Sequence, residues 1–446
     1  MKIFNIRISI YENLWVIIYK LVLDFSYLTV EARNYRYLGF NIGFAIHKIV
    51  LGYILYFATY NIIKSKKGNI TTLFTYTIFF LSISPFITLY QFSTIGKLWM
   101  VMLQVLCLIL MDFLFRLPFK TFGVSLKTYS YANKNFRLFA TFIIGFYFLF
   151  MVKRYGIPSL DSMLLQSIHE TRAAVDIPTG ISILQTFFCR IICPLYILIA
   201  WREKKWIQLG FGLLVQIHTY GITGFKTFLF IPIVMVAIDL FKNIDLKKLI
   251  LVGLSGTLIL TDVIYFVTKN IWFYALAGDR VIFFPALIKY AYFDYFSVND
   301  FVYFSQNSIS RILGITSNYN VKIPNLIGGI YFNKFEMWTN TGFMADAYSN
   351  LGIIGVILIA LFLSVILIIL RNRIAKIPET MQKSIQMIFL LYFIMLNDGP
   401  LIATLFSGGF LVAMLIVLSI DFQPKYKKGM FLEKRNFVWT IQEKQN

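Results

Sequence analysis

The sequence predicts an all-α polytopic membrane protein of about twelve transmembrane helices. Composition is the first reason: 58% of residues are hydrophobic, only 14% are charged, and the mean hydropathy is +0.71. Soluble domains carry about a quarter charged residues. Secondly, the apolar runs reach about 20 residues, enough to cross about 30 Å of hydrocarbon as helices that pair their own backbone groups. Thirdly, the runs are continuously apolar, without the alternation of an outer-membrane barrel.

In chain order the expected spans lie near residues 13–30, 38–60, 70–90, 98–117, 138–152, 180–200, 206–222, 227–241, 249–268, 349–370, 384–397 and 401–420. The first is unusual because Lys20 and Asp24 fall inside it. Their spacing of four allows an ion pair on one helix face, so the segment reads as a span or as an interfacial helix. Lys2 and Arg7 precede it, but no small-residue cleavage site follows, and it is expected to remain as an anchor. The resulting organisation is residues 1–268 as nine helices with a small loop near 153–179, and 269–347 as a large loop. Residues 348–420 form the last three helices, and 421–446 a basic tail.

The formal net charge of +21 is not spread evenly. Basic residues gather between apolar runs: Lys64, Lys66 and Lys67; Lys120, Lys127, Lys134 and Arg137; Arg202, Lys204 and Lys205; Lys242, Lys247 and Lys248; Arg371, Arg373, Lys376 and Lys383. The tail adds Lys425, Lys427, Lys428, Lys434 and Arg435, while the alternate connections are short or nearly charge-balanced. Positive-inside topology accounts for this pattern, and nucleic-acid binding does not. Both termini and the basic connections are therefore expected on the cytoplasmic side, and the loops 153–179 and 269–347 on the outside. No Gly-rich phosphate cradle and no sizeable cytoplasmic domain is evident, so the expected chemistry is external and independent of ATP or a nucleotide sugar. Cys107, Cys189 and Cys193 lie in apolar runs without the partners a metal site needs.

The stretch from Asn270 to about Ala347 is too long for mere connection between membrane helices. It is rich in Tyr, Phe and Asn, carries Arg280, Arg311, Asp279, Asp294 and Asp300, and suits a surface that holds a sugar and an anionic headgroup. Arg172 in HETRAAV, Lys226 in TGFKT and Arg280 in GDRV come from separate outer turns that could converge on a diphosphate. The alternative is that these cations only reach toward lipid headgroups, and that Arg172 with Glu170 is a structural pair. Tyr290, Tyr292, Phe293, Tyr295 and Phe296 either stack on sugar rings or form an interfacial aromatic belt.

Ionisable residues inside the spans are costly in hydrocarbon and must pair or line a cavity. Arg190 is expected to pair with Asp112 or Asp262; as a transport path it would instead line a channel. No inverted repeat or matched pair of broken helices supports transport. No Ser-His-Asp or Cys-His motif is recognisable among His47, His169 and His218.

With these motifs placed, the chain resembles the bacterial O-antigen polymerases, the Wzy-type oligosaccharide repeat-unit polymerases. The likeness covers most of the chain through its many helices, two outer loops, and a larger loop late in the sequence. TGFKT resembles the family's Gly-x-Lys/Arg turn, and the Arg of HETRAAV an Arg of its first outer loop. RVIFFPALIKYAYFDYFS resembles the opening of its large loop, and TNTGFMADAYSNLGIIGVILIA the exit from it.

The resemblance implies a membrane-embedded glycosyltransferase of the GT-C type that needs no metal or other cofactor. Such an enzyme moves a glycan from one undecaprenyl diphosphate to a repeat unit on another, at the inner membrane and in company with a chain-length regulator. Its site residues here would be Arg172, Arg280, Glu170, Asp279 and Asp294 for catalysis. Lys226, Tyr290, Tyr295, Arg311 and Asn340 would bind substrate. An O-antigen ligase is the nearest rival in chemistry, but it relies on a His in the large loop, and none occurs between Asn270 and Ala347. A lipid-linked oligosaccharide flippase would have a similar number of helices but would not need the long loop.

Overall fold

The computed structural model describes residues 2–65, 68–118, 129–130, 134–159, 175–240, 245–307, 310 and 314–422. They are almost entirely helical; the described strands are Tyr129–Ser130 and Ile420–Asp421, which pair in parallel with Tyr129 opposite Ile420. Eight helices are long and apolar enough to cross a membrane: Glu12–Asn34, Ile46–Ile63, Ile70–Phe92, Leu98–Arg116, Lys134–Tyr155, Thr179–Arg202, Leu246–Thr268 and Phe343–Ile374. Trp206–Thr223, Lys226–Leu240 and Glu379–Asp398 add further helices. The last expected span is broken into Leu401–Leu405 and Phe410–Ser419. Gly409 turns the chain there with φ +92°, a conformation costly for any residue with a Cβ.

The Ile70–Phe92 helix is buried throughout and forms the hub of the bundle. It packs against the Ile46–Ile63, Leu98–Arg116, Leu246–Thr268, Phe343–Ile374 and Glu379–Asp398 helices. Its hydroxyl residues explain how so many neighbours approach one helix without unpaired polar groups. Thr75 donates to Thr71 O at 2.8 Å, Thr77 to Leu73 O at 2.8 Å, and Ser84 to Phe79 O at 2.8 Å. Asn69 caps the start by accepting from Thr72 N at 2.9 Å.

The i,i+4 pair expected in the first span forms. Lys20 Nζ meets Asp24 Oδ1 at 2.5 Å and also donates to Thr88 Oγ1 at 2.9 Å. Asp24 accepts from Tyr53 and Thr88, each at 2.8 Å. Arg190 corrects the sequence reading. Asp112 is taken by Arg116 at 2.6 Å, and Asp262 accepts from Ser26 at 2.8 Å. Arg190 is left to a cavity described below.

The basic connections meet at one end of the bundle. Lys247 Nζ donates to Ser65 O at 2.9 Å, and Arg116 to Ile62 O. Arg371 bonds Phe115 O at 2.5 Å, and Arg373 bonds Ile420 O at 2.6 Å. Arg137 pairs with Glu203 at 2.8 Å. The segment after Thr268 gathers at the opposite end, where Lys97 pairs with Asp294 at 2.6 Å.

That segment, expected as a large loop, carries helices of its own. It begins with a continuous helical run: Trp272–Tyr274, a π-helical Ala275–Phe283, then Phe284–Phe296. Phe284–Phe296 packs between the Ser84–Phe92 part of the hub and the Phe343–Ile374 helix. Phe293 lies with its ring centroid 5.1 Å from Tyr348 and 6.2 Å from Phe86. Phe293 and Phe296 are therefore core residues, and Tyr292 is buried as well but borders a cavity described below, while Tyr290 and Tyr295 remain half-buried.

Candidate substrate cleft

Two adjoining cavities open between this segment and the ends of the Thr179–Arg202 and Glu379–Asp398 helices. One has a volume of about 630 Å³ and includes Tyr319, Lys322, Trp338, Asp346 and Asn350 in its walls. The other, about 550 Å³, is bordered by Thr186, Arg190, Asp398 and Thr404, with Ile177 and Thr179 from the described end of the smaller loop. Asn340, Pro400 and Ala403 border both. Together they form one two-lobed cleft.

Local sequence explains why the first lobe is held open. Gln306 Nε2 donates to Val321 O at 2.9 Å, and its Oε1 accepts from Ile323 N at 2.9 Å. Asn350 Oδ1 accepts from Phe304 N at 2.7 Å, while its Nδ2 reaches Asp346 O at 2.7 Å. These bonds hold Tyr303 and Phe304 in left-handed conformations, φ 53° and 58°, which bulky side chains adopt only under constraint. Buried Tyr292 donates to Thr339 O at 2.9 Å and fixes the strip that carries Trp338 and Asn340. Trp338 Nε1 donates to Asn340 Oδ1 at 2.6 Å, and Lys322 Nζ stands 4.9 Å above the Trp338 ring. Next in chain, Gly342 permits a close pass: a Cβ there would lie 2.2 Å from Asn397 O.

Charge in the cleft is sparse and unpaired. Among the described residues, Arg190 makes no ion pair; its Nη1 lies 3.1 Å from the Met395 thioether and its Nε has no hydrogen-bond acceptor. A thioether is a weak acceptor, so the guanidinium keeps most of its capacity for an anion. Asp398 borders the same lobe and Asp346 the other, and neither is in an ion pair among the described residues. Behind the cleft, Lys289 is 2% exposed, donating to Ser82 Oγ at 2.7 Å and Asn397 Oδ1 at 2.5 Å. Burial pushes its ammonium down to about 7, partly opposed by the charge of Asp398.

Of the residues singled out from sequence, Asn340 borders both lobes. Asp294 is occupied by Lys97 and by Tyr331 OH at 2.9 Å, with Tyr290 beside it. Tyr295 packs on Tyr319, ring centroids 6.5 Å apart, just behind the first lobe. Lys226 begins its helix half-buried, after Gly224 with φ +63°. Arg280 is exposed beside buried Asp279, which stands against Glu31 of the first span. Arg172, Glu170 and Arg311 lie outside the described residues. The expected convergence of Arg172, Lys226 and Arg280 is thus not visible, and among the described residues the cations that border the cleft are Arg190 and Lys322.

Sequence reasoning weighed Arg190 as a structural partner of Asp112 or Asp262 or as part of a transport path, not as a substrate residue, and passed over Asp346, Asp398, Lys289 and Trp338. Two of them carried a signal: Arg190 by its cost inside an apolar run, and Asp346 by its place four residues before Asn350 on the loop exit. Comparison with known protein families, curated proteins and solved structures finds no match.

Proposed function

We propose that this chain is a membrane-embedded glycosyltransferase that joins lipid-diphosphate-linked oligosaccharides at the non-cytoplasmic face of the bacterial inner membrane, as an O-antigen-type polymerase does. The observation that carries the reading is the two-lobed cleft, with an anion-seeking Arg190 in one lobe and a Trp338, Tyr319 and Asp346 lining in the other. Two lobes meeting at Asn340 suit a reaction between two anchored substrates, which held together react as though intramolecular.

In this reading the donor diphosphate sits against Arg190, and the acceptor sugar lies on Trp338 and Tyr319. The acceptor hydroxyl oxygen attacks the donor's anomeric carbon, and the bond from that carbon to the diphosphate oxygen breaks. The hydroxyl proton passes to the Asp346 carboxylate, while the charge developing on the departing diphosphate is met by Arg190. Asp398 borders the same lobe as Arg190.

The test is genetic and biochemical. Arg190→Ala, Asp346→Asn and Asn340→Ala are each expected to cut glycan chain elongation at least 100-fold at normal membrane abundance, leaving single repeat units on the acceptor lipid. Arg190→Lys is expected to recover only part, because an ammonium cannot present a bidentate fork. Lys334→Ala, exposed in the same segment, is expected to be silent. A deletion strain with no repeat unit on its acceptor lipid would point to ligation or flipping and overturn the reading.

A further inference from the structure

Two buried carboxyl groups face one another at the loop end, on elements that do not border the cleft. Glu31 closes the π-helical Tyr27–Glu31, and Asp279 lies within the π-helical Ala275–Phe283; the two segments pack together. Glu31 is 0% exposed, and neither of its carboxylate oxygens has a hydrogen-bond donor. Asp279 Oδ1 is also without one. The Tyr274 hydroxyl, on a residue 0% exposed, and the Tyr35 hydroxyl are buried without a partner. Tyr274 stands near Ser26 and Glu31 without aligning a hydrogen bond to either. Gly278 makes the placement of Tyr274 possible, since a Cβ there would lie 2.7 Å from its ring.

Such a cluster is costly as it stands. Unpaired buried polar atoms are rare, and two adjoining carboxylates repel. A single shared proton would bridge one pair of oxygens, and the two phenol hydroxyls, as placed, align with none of the remaining carboxylate oxygens. A cation would serve them all, because oxygen ligands around one ion stand about as far apart as hydrogen-bonded oxygens do. We propose that Glu31, Asp279, Tyr274 and Tyr35 form a binding site for a hard divalent cation of the calcium class, which pins the first membrane helix to the Trp272–Phe296 run. The donor set is all oxygen, which excludes the thiolate- and imidazole-seeking metals. Full burial disfavours Mg²⁺, which keeps its own waters and demands octahedral geometry, whereas Ca²⁺ accepts irregular protein oxygens. Exposed Arg280 partly offsets the charge of the two acids.

The site does not depend on the reading of the cleft, and its test does not use glycan synthesis. The full chain, purified in detergent and stripped with a calcium chelator, is titrated with Ca²⁺ and, separately, with Tb³⁺ excited through tyrosine. Expected are a Ca²⁺-dependent rise in Tm and a Tb³⁺ luminescence that Ca²⁺ displaces. Glu31→Gln and Asp279→Asn are expected to weaken Ca²⁺ at least tenfold. Without Ca²⁺ they are expected to unfold no earlier than the wild type, because each removes one of two adjoining charges. Asp300→Asn, an exposed acid of the same segment, is expected to leave affinity within twofold. If the acid variants do not fold, Tyr274→Phe keeps the ring, removes one ligand oxygen and is expected to weaken Ca²⁺ several-fold. A wild-type chain indifferent to Ca²⁺ from pH 6 to 8, as a proton-only pair would be, would overturn the proposal, and so would unchanged affinity in the folded variants.

Discussion

Lys20 and Lys289 are two buried ammoniums with different surroundings, and the difference sets what each contributes. Lys20 has a carboxylate partner, a hydroxyl and the Gln91 amide oxygen at 2.5 Å. Removing Asp24 would leave that charge uncompensated, and Asp24→Ala is expected to cost about 3–5 kcal/mol. Thermal unfolding of the purified chain measures it, and a change below about 1 kcal/mol would mean that the pair is incidental. Lys289 has only neutral oxygens within hydrogen-bonding distance, from Ser82 and Asn397. Its folded value is lowered to about 7 from 10.5, so between those values the unfolded chain binds the extra proton. Stability is therefore expected to rise with pH from about 7 toward 10.5, with the full cost of the buried charge present below 7. Lys289→Met is expected to flatten that rise, measured as Tm against pH.

Four polar residues inside the bundle sit where helices widen. The π-helical segments Tyr27–Glu31, Phe79–Ile83, Phe188–Ile192 and Ala275–Phe283 carry Glu31, Ser82, Arg190 and Asp279 respectively. A π-turn displaces one residue from the helix register and leaves backbone and side chain free to face a cavity. The Phe343–Ile374 helix shows another break, with Gly352 at φ 60°, ψ −144°, a region essentially reserved for glycine. The kink separates the cleft-lining turn, Asp346 to Asn350, from the membrane-length remainder. Gly352→Ala is expected to cost about 1–3 kcal/mol in strain. It would also press on Phe301, whose Cζ would lie 2.7 Å from the new Cβ. Loss of chain elongation larger than the loss of protein abundance would tie the kink to the cleft; equal losses would make it only structural.

At the scale of the molecule, the basic connections and the Trp272–Thr341 segment occupy opposite ends of one bundle. With basic residues retained in the cytoplasm, Ser317 is expected outside and Ser65 inside. Because Cys107, Cys189 and Cys193 are all buried, a cysteine-free background is a set of small core substitutions. In it, Ser317→Cys is expected to react with an impermeant maleimide in cells with a permeabilised outer membrane, and Ser65→Cys is not. The reverse pattern would put the cleft in the cytoplasm and remove the lipid-diphosphate reading with it.

Hydropathy and charge by themselves determined that the chain is a helical membrane protein, where its apolar helices run, and that its basic connections belong together. These are local properties: a span needs only consecutive apolar residues, and a topogenic charge only its neighbours. The i,i+4 geometry of Lys20 and Asp24 was legible for the same reason. Tertiary structure decided the partners of the buried charges that meet across helices. Arg190 finds a cavity instead of Asp112 or Asp262, and Asp279 finds Glu31 across more than two hundred residues of chain. It also decided that Phe293 and Phe296 are core residues, because an aromatic run reads alike in a loop, a belt or a buried helix until something packs on it. Sequence periodicity reports how a helix faces apolar surroundings, but which polar groups meet inside a bundle depends on helix packing and on π-turns that leave no mark in composition.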